Sequence, residues 1–389
     1  MKTIKVILSI VCMLLIGNVM GAVLNISPAI PDVVLLLASS FALPSGVLMS
    51  IVPGIFSETT LQTVRVKMAA MLLDGRVKLQ YTPQADGLLG LSQVSTAKFR
   101  ELEVSEKDYE VELEWINACG PEVEDFTACT FGGDKASTNT QKYKLNFDQE
   151  VNFTIYESDF TTNDFNYEEA LAALFLRADK QLMEAFAQFF YVVLNAGKGV
   201  NQYAGGYTIC GSDTYIPAVN WTNNLMAYFM MMSKINQFSS PVLLDGGNLY
   251  QAYQIAGFNA GNADGKGAQA MFQNMKIFFD LINPLLVNGD INTDYIIETG
   301  AMSWANKVYF PNTAPKFGDD LYTRWNMGTK FSNLLPLKYD VISSASCDEN
   351  NLTKRDFKVR LKAGVFVNPT GCSEDNTGIL TMLCGNAPC

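Results

Sequence analysis

The sequence contains no histidine among its 389 residues. A Ser-His-Asp triad, a Cys-His pair and every zinc site that needs imidazole are therefore excluded. A pH switch built on imidazole is excluded for the same reason. Because many active sites use histidine, its absence argues against an enzymatic function.

Charged residues are also scarce, at 17% of the chain, against about 25% in an average domain. The 28 Lys and Arg residues are outnumbered by 39 Asp and Glu residues, which gives a net charge of −11. Proteins that bind nucleic acids neutralise phosphates with lysine and arginine, so sequence-specific binding of nucleic acid is not expected. At roughly 150 residues per domain, the length predicts about two or three domains.

The first 56 residues are almost free of charge. Between Val6 and Ser57 the only charged residue is Asp32. Lys2 and Lys5 followed by an apolar run and small residues near Ala22 are typical of a secretory signal peptide. An N-terminal membrane anchor, an assembly-dependent arm and a start codon placed too far upstream are the alternatives. Whether residues 1–56 contact a membrane stays open.

The chain has eight cysteines, with no CxxC pair to indicate a metal site. In an oxidising compartment, the expected bridges are Cys119 with Cys129, and two of Cys372, Cys384 and Cys389. Most of the cysteines are otherwise expected to be small buried hydrophobic residues.

Hydrophobic periodicity predicts an α+β protein. The strongest helix begins at Asn166, carries an apolar stripe of three- and four-residue spacing, and ends at Gly197. Shorter helices are predicted over 223–235, 245–258 and 268–281. An exposed loop is predicted over 130–141. Strands are predicted over 61–68, 77–81, 109–115, 143–155 (a pair), 295–298, 307–310, 338–343, 357–367 and 378–384.

Several short motifs hint at chemistry, but each fits a simpler structural role better. Gly197-Lys198-Gly199 and Gly265-Lys266-Gly267 lack the rest of a phosphate loop and are predicted to be helix caps or turns. Asp290, Asn292, Asp294 and Glu298 lack the turn glycine and twelfth-position Glu of a calcium loop. The acidic pairs Glu168-Glu169 and Asp319-Asp320 are expected at a helix start and in a loop, and the Met-rich stretch Met226–Met232 is expected in the core. No catalytic, cofactor or metal residues are therefore predicted.

The order of elements resembles that of a tailed-phage major capsid protein with the Hong Kong-type capsid fold. Residues 57–155 resemble its N-terminal arm and its long β-hairpin, the E-loop. The helix from Asn166 is similar to the spine helix, with a Leu-Asn-Gly type of ending near Gly199. Residues 240–245 are similar to an axial-domain strand, and residues 338–341 and 359–384 resemble the closing peripheral strands.

The resemblance implies a division into four parts. These are an apolar N-terminal segment, signal-like or an assembly arm (1–56), the arm and E-loop (57–155), a peripheral domain with the spine helix (156–200 and 335–389), and a mixed axial domain (201–334).

The resemblance also implies a structural virion protein, not an enzyme. Such a subunit would self-assemble into pentamers and hexamers of an icosahedral shell around phage DNA, in the host cytoplasm, without a cofactor. Its partners would be its own copies, with a scaffold or portal protein as further candidates. The alternatives are a secreted or envelope-anchored bacterial surface protein with disulfides, and a histidine-free hydrolase that uses paired carboxylates.

Overall fold

The structure is a computed structural model, and it describes 58–74, 85–95, 99–100, 110–117, 137–156, 167–222, 224–250, 269–272, 275–280, 283, 293–308, 316–317, 322–331, 335–347, 353–368 and 376–389. The chain divides into two compact units, Met1–Ile55 and Phe56–Cys389, and every described residue belongs to the second.

Four α-helices lie within the described residues: α1 (Glu58–Leu73), α2 (Gly87–Val94), α3 (Tyr167–Ala196) and α4 (Leu225–Ile235). The strands are β1 (Phe99–Arg100), β2 (Glu110–Asn117), β3 (Ser137–Lys144), β4 (Phe147–Tyr156), β5 (Thr208–Cys210), β6 (Asp213–Ile216), β7 (Pro241–Asp245), β8 (Gln269–Phe272), β9 (Met275–Phe279), β10 (Thr293–Glu298), β11 (Met302–Asn306), β12 (Lys316–Phe317), β13 (Tyr322–Gly328), β14 (Lys338–Cys347), β15 (Thr353–Val367) and β16 (Ile379–Cys384).

The strands form three sheets. Strands β1, β2 and β3 make a small antiparallel sheet. A seven-stranded sheet has the order β5-β6-β16-β10-β7-β9-β8. The third sheet has the order β11-β15-β14-β13-β12, with β4 on the other edge of β15. The mixture of helices and sheets confirms the predicted α+β class.

Helix α3 is 30 residues long, or about 45 Å at 1.5 Å per residue. It packs against α1, β4 and β15. Its buried face carries the three- and four-residue spacing seen in the sequence, including Leu171, Phe175, Leu182 and Phe186. In strand β15 every second residue from Arg355 to Leu361 is buried, as expected for a strand with one face in the core. The two elements therefore bury complementary apolar faces in one core.

The segment 61–68, predicted to be a strand, is a helix. Val64, Val66 and Met68 suggest an alternating pattern, but Leu61, Val64 and Met68 also have helical spacing and are buried. Val66 lies between Val64 and Met68, and a strand that buried those two residues would bury Val66 as well, but Val66 is 68% exposed. Packing of α1 against α3 decides between the two periodicities.

The predicted helix 268–281 is also wrong, because this segment contains strands β8 and β9. Met275, Ile277, Phe278 and Phe279 are all buried, so β9 has apolar residues on both faces. Continuous apolar runs of this kind do not separate strand from helix by periodicity.

Other predictions need smaller corrections. Lys307 and Val308, the described part of the strand expected over 307–310, follow β11 and are not in a strand, and 309–310 lie outside the described residues. The loop expected over 130–141 includes the start of β3 at Ser137. The strands predicted over 109–115, 143–155, 295–298, 338–343, 357–367 and 378–384 and the helix over 223–235 are confirmed, with shifted bounds. The strand predicted over 77–81 lies outside the described residues, as do residues 251–258 of the helix predicted over 245–258, whose first residue ends β7.

Strands from the predicted axial domain and strands from the predicted peripheral domain pair within the same sheets. Strand β16 pairs with β10 and β6 of the seven-stranded sheet, whereas β11, β12 and β13 join β14 and β15. The closing strands therefore do not all lie in one sheet. The division into axial and peripheral domains stays a proposal.

Candidate assembly surfaces

The small sheet of β1, β2 and β3, here called the hairpin, is followed in the chain by β4 of the third sheet. Strands β2 and β3 pair over eight residues, from Glu110 opposite Lys144 to Asn117 opposite Ser137. Eight residues of strand span about 26 Å at 3.3 Å per residue. Among the described strands, β1, β2 and β3 pair only with one another. The backbone groups on the outer edges of this sheet are therefore not used in pairing with a described strand.

The root of this hairpin, residues 143–146, is fixed to the end of β15. The ring of Tyr143 lies 4.7 Å from that of Phe366, centroid to centroid. Asn146 donates from Nδ2 to the carbonyl of Val365 over 3.0 Å, and its Oδ1 accepts from the Val365 amide over 3.2 Å. Leu145 is buried beside Phe366. These contacts fix the root of the hairpin against the end of β15.

Strand β4 continues from the root and connects the hairpin to α3. Its inward aromatic residues meet the helix: Phe147 lies 5.2 Å from Phe186, and Phe153 lies 5.3 Å from Phe175, between ring centroids. Both pairs are edge-to-face, a favoured geometry for aromatic rings. The hairpin root, β4 and α3 therefore pack as one unit.

The outward face of β4 and β15 carries paired charges. The guanidinium of Arg360 donates to Asp148 over 2.6 Å, and Lys362 lies 2.9 Å from the same carboxylate. Lys358 lies 2.9 Å from Glu150. These cations lower the pKa of the Asp148 and Glu150 carboxyl groups. Exposed pairs stabilise a fold weakly, about 0–1 kcal/mol each, but they favour the observed register of the two strands.

A buried carboxylate ties α3 to the neighbouring sheet. Asp179 accepts hydrogen bonds from the hydroxyl of Tyr339 (2.6 Å), the hydroxyl of Thr329 (2.9 Å) and the amide of Lys330 (2.7 Å). Burial raises the pKa of Asp179 to about 6, although these donors oppose the shift. The sequence contains one indication that Asp179 is buried, because Asp179 lies four residues after Phe175 on the apolar stripe of the helix.

The C-terminus is attached to the edge of the seven-stranded sheet. Cys389 forms a disulfide with Cys210 at the end of β5, across 179 residues of sequence. The amide of Gly385 donates to the carbonyl of Ile216 over 2.9 Å. The expected pairing of Cys389 with Cys372 or Cys384 is therefore wrong. Sequence spacing missed this bridge because β6 and β16 become parallel neighbours only in the fold. Cys119, Cys129 and Cys372 lie outside the described residues.

The short motifs that are described take structural roles. Gly197 follows α3 and donates to the carbonyl of Val193, and Lys198 pairs with Asp213 over 2.7 Å. Glu168 is buried at the start of α3, and Glu169 lies 3.5 Å from Lys67. The Met-rich stretch forms α4, whose Met226, Phe229 and Met232 are buried. Glu298 binds Ser239 and Ser240. Gly265–Gly267, Asp290, Asn292 and Asp319–Asp320 lie outside the described residues.

Two features are absent from the part of the chain that the structure describes. No helix there is long and apolar enough to cross a membrane. No group of three or more Cys, Asp or Glu side chains there has a metal-binding arrangement.

No family model matches the sequence, and no curated protein matches it. Among solved structures, the chain is similar to the capsid of the cyanophage P-SCSP1u at 10% identity, with a TM-score of 0.41, over 74% of this chain and 86% of that one. It is similar to the mature capsid of bacteriophage PhiM1 at 10% identity and a TM-score of 0.40, over 73% and 85%. The capsid of a native GTA particle gives 11% identity and 0.42, over 77% and 91%. Because the identities and TM-scores are this low, the function is argued from the chain's own elements.

Proposed function

We propose that the chain is the structural subunit of a bacteriophage capsid and assembles with copies of itself into a shell. The observation that carries the proposal is the hairpin of β1, β2 and β3. It is fixed at its root by Asn146 and Tyr143 and pairs with no other described strand. Small isolated sheets are marginally stable, so a neighbouring subunit is the natural source of additional contacts.

The body behind the hairpin supports the same role. Helix α3, packed along β4 and β15, makes a long support that connects directly to the hairpin root. A shell subunit needs such a support, because forces between neighbours act through its extended segments. The order of arm, hairpin, long helix and mixed sheets is the order that the capsid resemblance implies.

The finer parts of the proposal concern the assembly. The subunit forms pentamers and hexamers of an icosahedral shell, is located in the virion and assembles in the host cytoplasm. Its role is structural rather than catalytic. Copies of the chain are its main partners, with a scaffold or portal protein as additional candidates.

The test is size-exclusion chromatography with light scattering and negative-stain microscopy on the full chain. Pentamers, hexamers, flat sheets or closed shells are expected. A strictly monomeric protein whose N-terminus has been cleaved near Ala22 would overturn the proposal and favour the secreted surface protein. The Asn146→Ala variant, described below, tests whether assembly depends on the hairpin root.

A further inference from the structure

Two carboxylates face each other on β7 and β10, neighbouring strands of the seven-stranded sheet, where β7 ends and β10 begins. Strand β10 is antiparallel to β7 with Tyr295 opposite Leu244, so the register places Asp294 opposite Asp245. Both side chains have 0% exposure. Like charges directly opposite one another on neighbouring strands are destabilising even at a surface. Two ionised carboxylates cannot share a buried position of this kind without a compensating positive charge.

The hydrogen bonds around the pair leave one oxygen of each group without a donor. Oδ1 of Asp294 accepts from the amide of Gly246 (3.0 Å) and from Nδ2 of Asn248 (2.9 Å), and Oδ1 of Asp245 accepts from the amide of Leu249 (2.9 Å). No described donor reaches Oδ2 of Asp245 or Oδ2 of Asp294. Directly opposite residues of an antiparallel pair have Cβ atoms about 4.5–5.5 Å apart, which lets one carboxyl group donate a hydrogen bond to the other once it is protonated.

Among the described residues, the ionisable groups around this pair are acids, or lysines that have other partners. Asp280 follows β9, and its Oδ2 accepts from the hydroxyl of Tyr191 and the amide of Gly87. Asp86 before α2 adds a second acid on that side, and Tyr295 lies next to Asp294 on β10. On β6, Asp213 is paired with Lys198, and on β9 Lys276 donates to Gln93. The strands on either side place Met382 of β16 opposite Asp294, and Phe279 of β9 opposite Asp245. No described lysine or arginine pairs with Asp245 or Asp294.

We propose that Asp245 and Asp294 share one proton at neutral pH and that this proton controls how firmly β7 and β10 are held together. A proton needs no cavity and no further ligands, whereas a metal ion would need about six oxygens. The proton converts like-charge repulsion into a hydrogen bond from one carboxyl group to the other. Its loss at alkaline pH restores the repulsion between β7 and β10, and this strand pair loosens.

The proposal predicts a definite dependence of stability on pH. The unfolded chain holds no proton on these two groups above about pH 5, whereas the folded chain holds one. The folding equilibrium constant should therefore fall up to about tenfold per pH unit as the pH rises, until the folded pair loses its proton. The window above pH 7 is the informative one, because Asp86 and Asp179, with pKa values of about 6, are already ionised there.

The experiment is urea unfolding of the full chain at several pH values between about 7 and 9. The Asp294→Asn variant keeps a carbonyl oxygen for Gly246 and Asn248 and offers its amide hydrogens to Asp245. It should lose the pH dependence and be more stable than the wild type at the alkaline end. The matched control is Asp148→Asn, which removes an exposed carboxylate whose lowered pKa keeps it ionised throughout this window; it should keep the wild-type slope.

A second measurement does not depend on folding of a variant. Infrared difference spectra of the wild type should show the band of a protonated carboxyl group at pH 7, and this band should disappear at alkaline pH. Equal slopes in wild type and Asp294→Asn, or absence of the band, would overturn the proposal. So would a rise in wild-type stability with millimolar Ca²⁺ or Mg²⁺ that Asp294→Asn does not show, because a metal ion would then be the occupant.

Discussion

Tyr339 on β14 donates a hydrogen bond of 2.6 Å to Asp179 in the middle of helix α3. Both residues are fully buried. The bond therefore fixes the long helix against the sheet at a position where no water can replace a lost partner. The Tyr339→Phe variant should lower the free energy of unfolding by about 1–3 kcal/mol, since a buried acceptor loses a donor. The Tyr250→Phe variant, at a partly exposed tyrosine, is the control and should change stability little. Equal effects of the two variants in urea unfolding would contradict the prediction.

Asp179 should also make the fold less stable as the pH rises from about 4 to about 6. Its pKa is raised from the ordinary 3.8 to about 6, so the folded chain holds a proton that the unfolded chain has lost. Stability is full below pH 3.8 and decreases until the folded carboxyl group ionises near pH 6. The two-unit shift corresponds to about 3 kcal/mol.

The measurement is the urea midpoint at pH values across that range, for the wild type and for Asp179→Asn. The variant should show a smaller decrease, and the part that remains reflects Asp86, whose pKa is also raised to about 6, together with the proton proposed for Asp245 and Asp294. The lowered pKa of Asp148 has the opposite sign, and its contribution is lost only when the pH falls below its ordinary value of 3.8. A variant with the full wild-type decrease would show that Asp179 is not the group that titrates.

The Asn146→Ala variant should reduce assembly more than it reduces stability. It removes both hydrogen bonds to Val365 and so releases the hairpin root, at a cost of about 2 kcal/mol for the backbone groups left unpaired. The body formed by α3 and β15 stays intact. Assembly is measured by light scattering, and folding by near-UV circular dichroism.

Asn152→Ala is the matched control for the hairpin root. Asn152 lies on β4, and its exposed Nδ2 donates only to the exposed Glu150. This variant should assemble like the wild type. If Asn146→Ala assembles with wild-type yield, the hairpin root has no role in assembly.

The disulfide between Cys210 and Cys389 should stabilise the oxidised chain by about 2–4 kcal/mol, because it closes a long loop in the unfolded state. Reductant or the Cys389→Ser variant should lower the midpoint of thermal unfolding. The Cys384→Ala variant is the control and should keep the response to reductant. Peptide mapping without reduction identifies the bridge directly, and an alkylated Cys389 in the oxidised protein would rule it out.

Local patterns predicted the long helix well, because both its apolar stripe and its end at Gly197 are properties of neighbouring residues. The same holds for β14 and β15, where buried and more exposed residues largely alternate. Local patterns failed for α1 and β9, where helical and strand spacing are both compatible with the same residues. The hairpin of β2 and β3 was predicted, but its fixation through Asn146 was not, since Val365 is 219 residues away.

The sequence alone determined the absence of imidazole chemistry, the acidic charge, the α+β class and the places of the strongest elements, because each depends on composition or on neighbours in the chain. The tertiary structure decided which distant residues meet. It brought Asp294 opposite Asp245, buried Asp179 beneath Tyr339 and joined Cys210 to Cys389. These contacts depend on strand register and helix packing, which are set by burial of the whole core rather than by any local pattern.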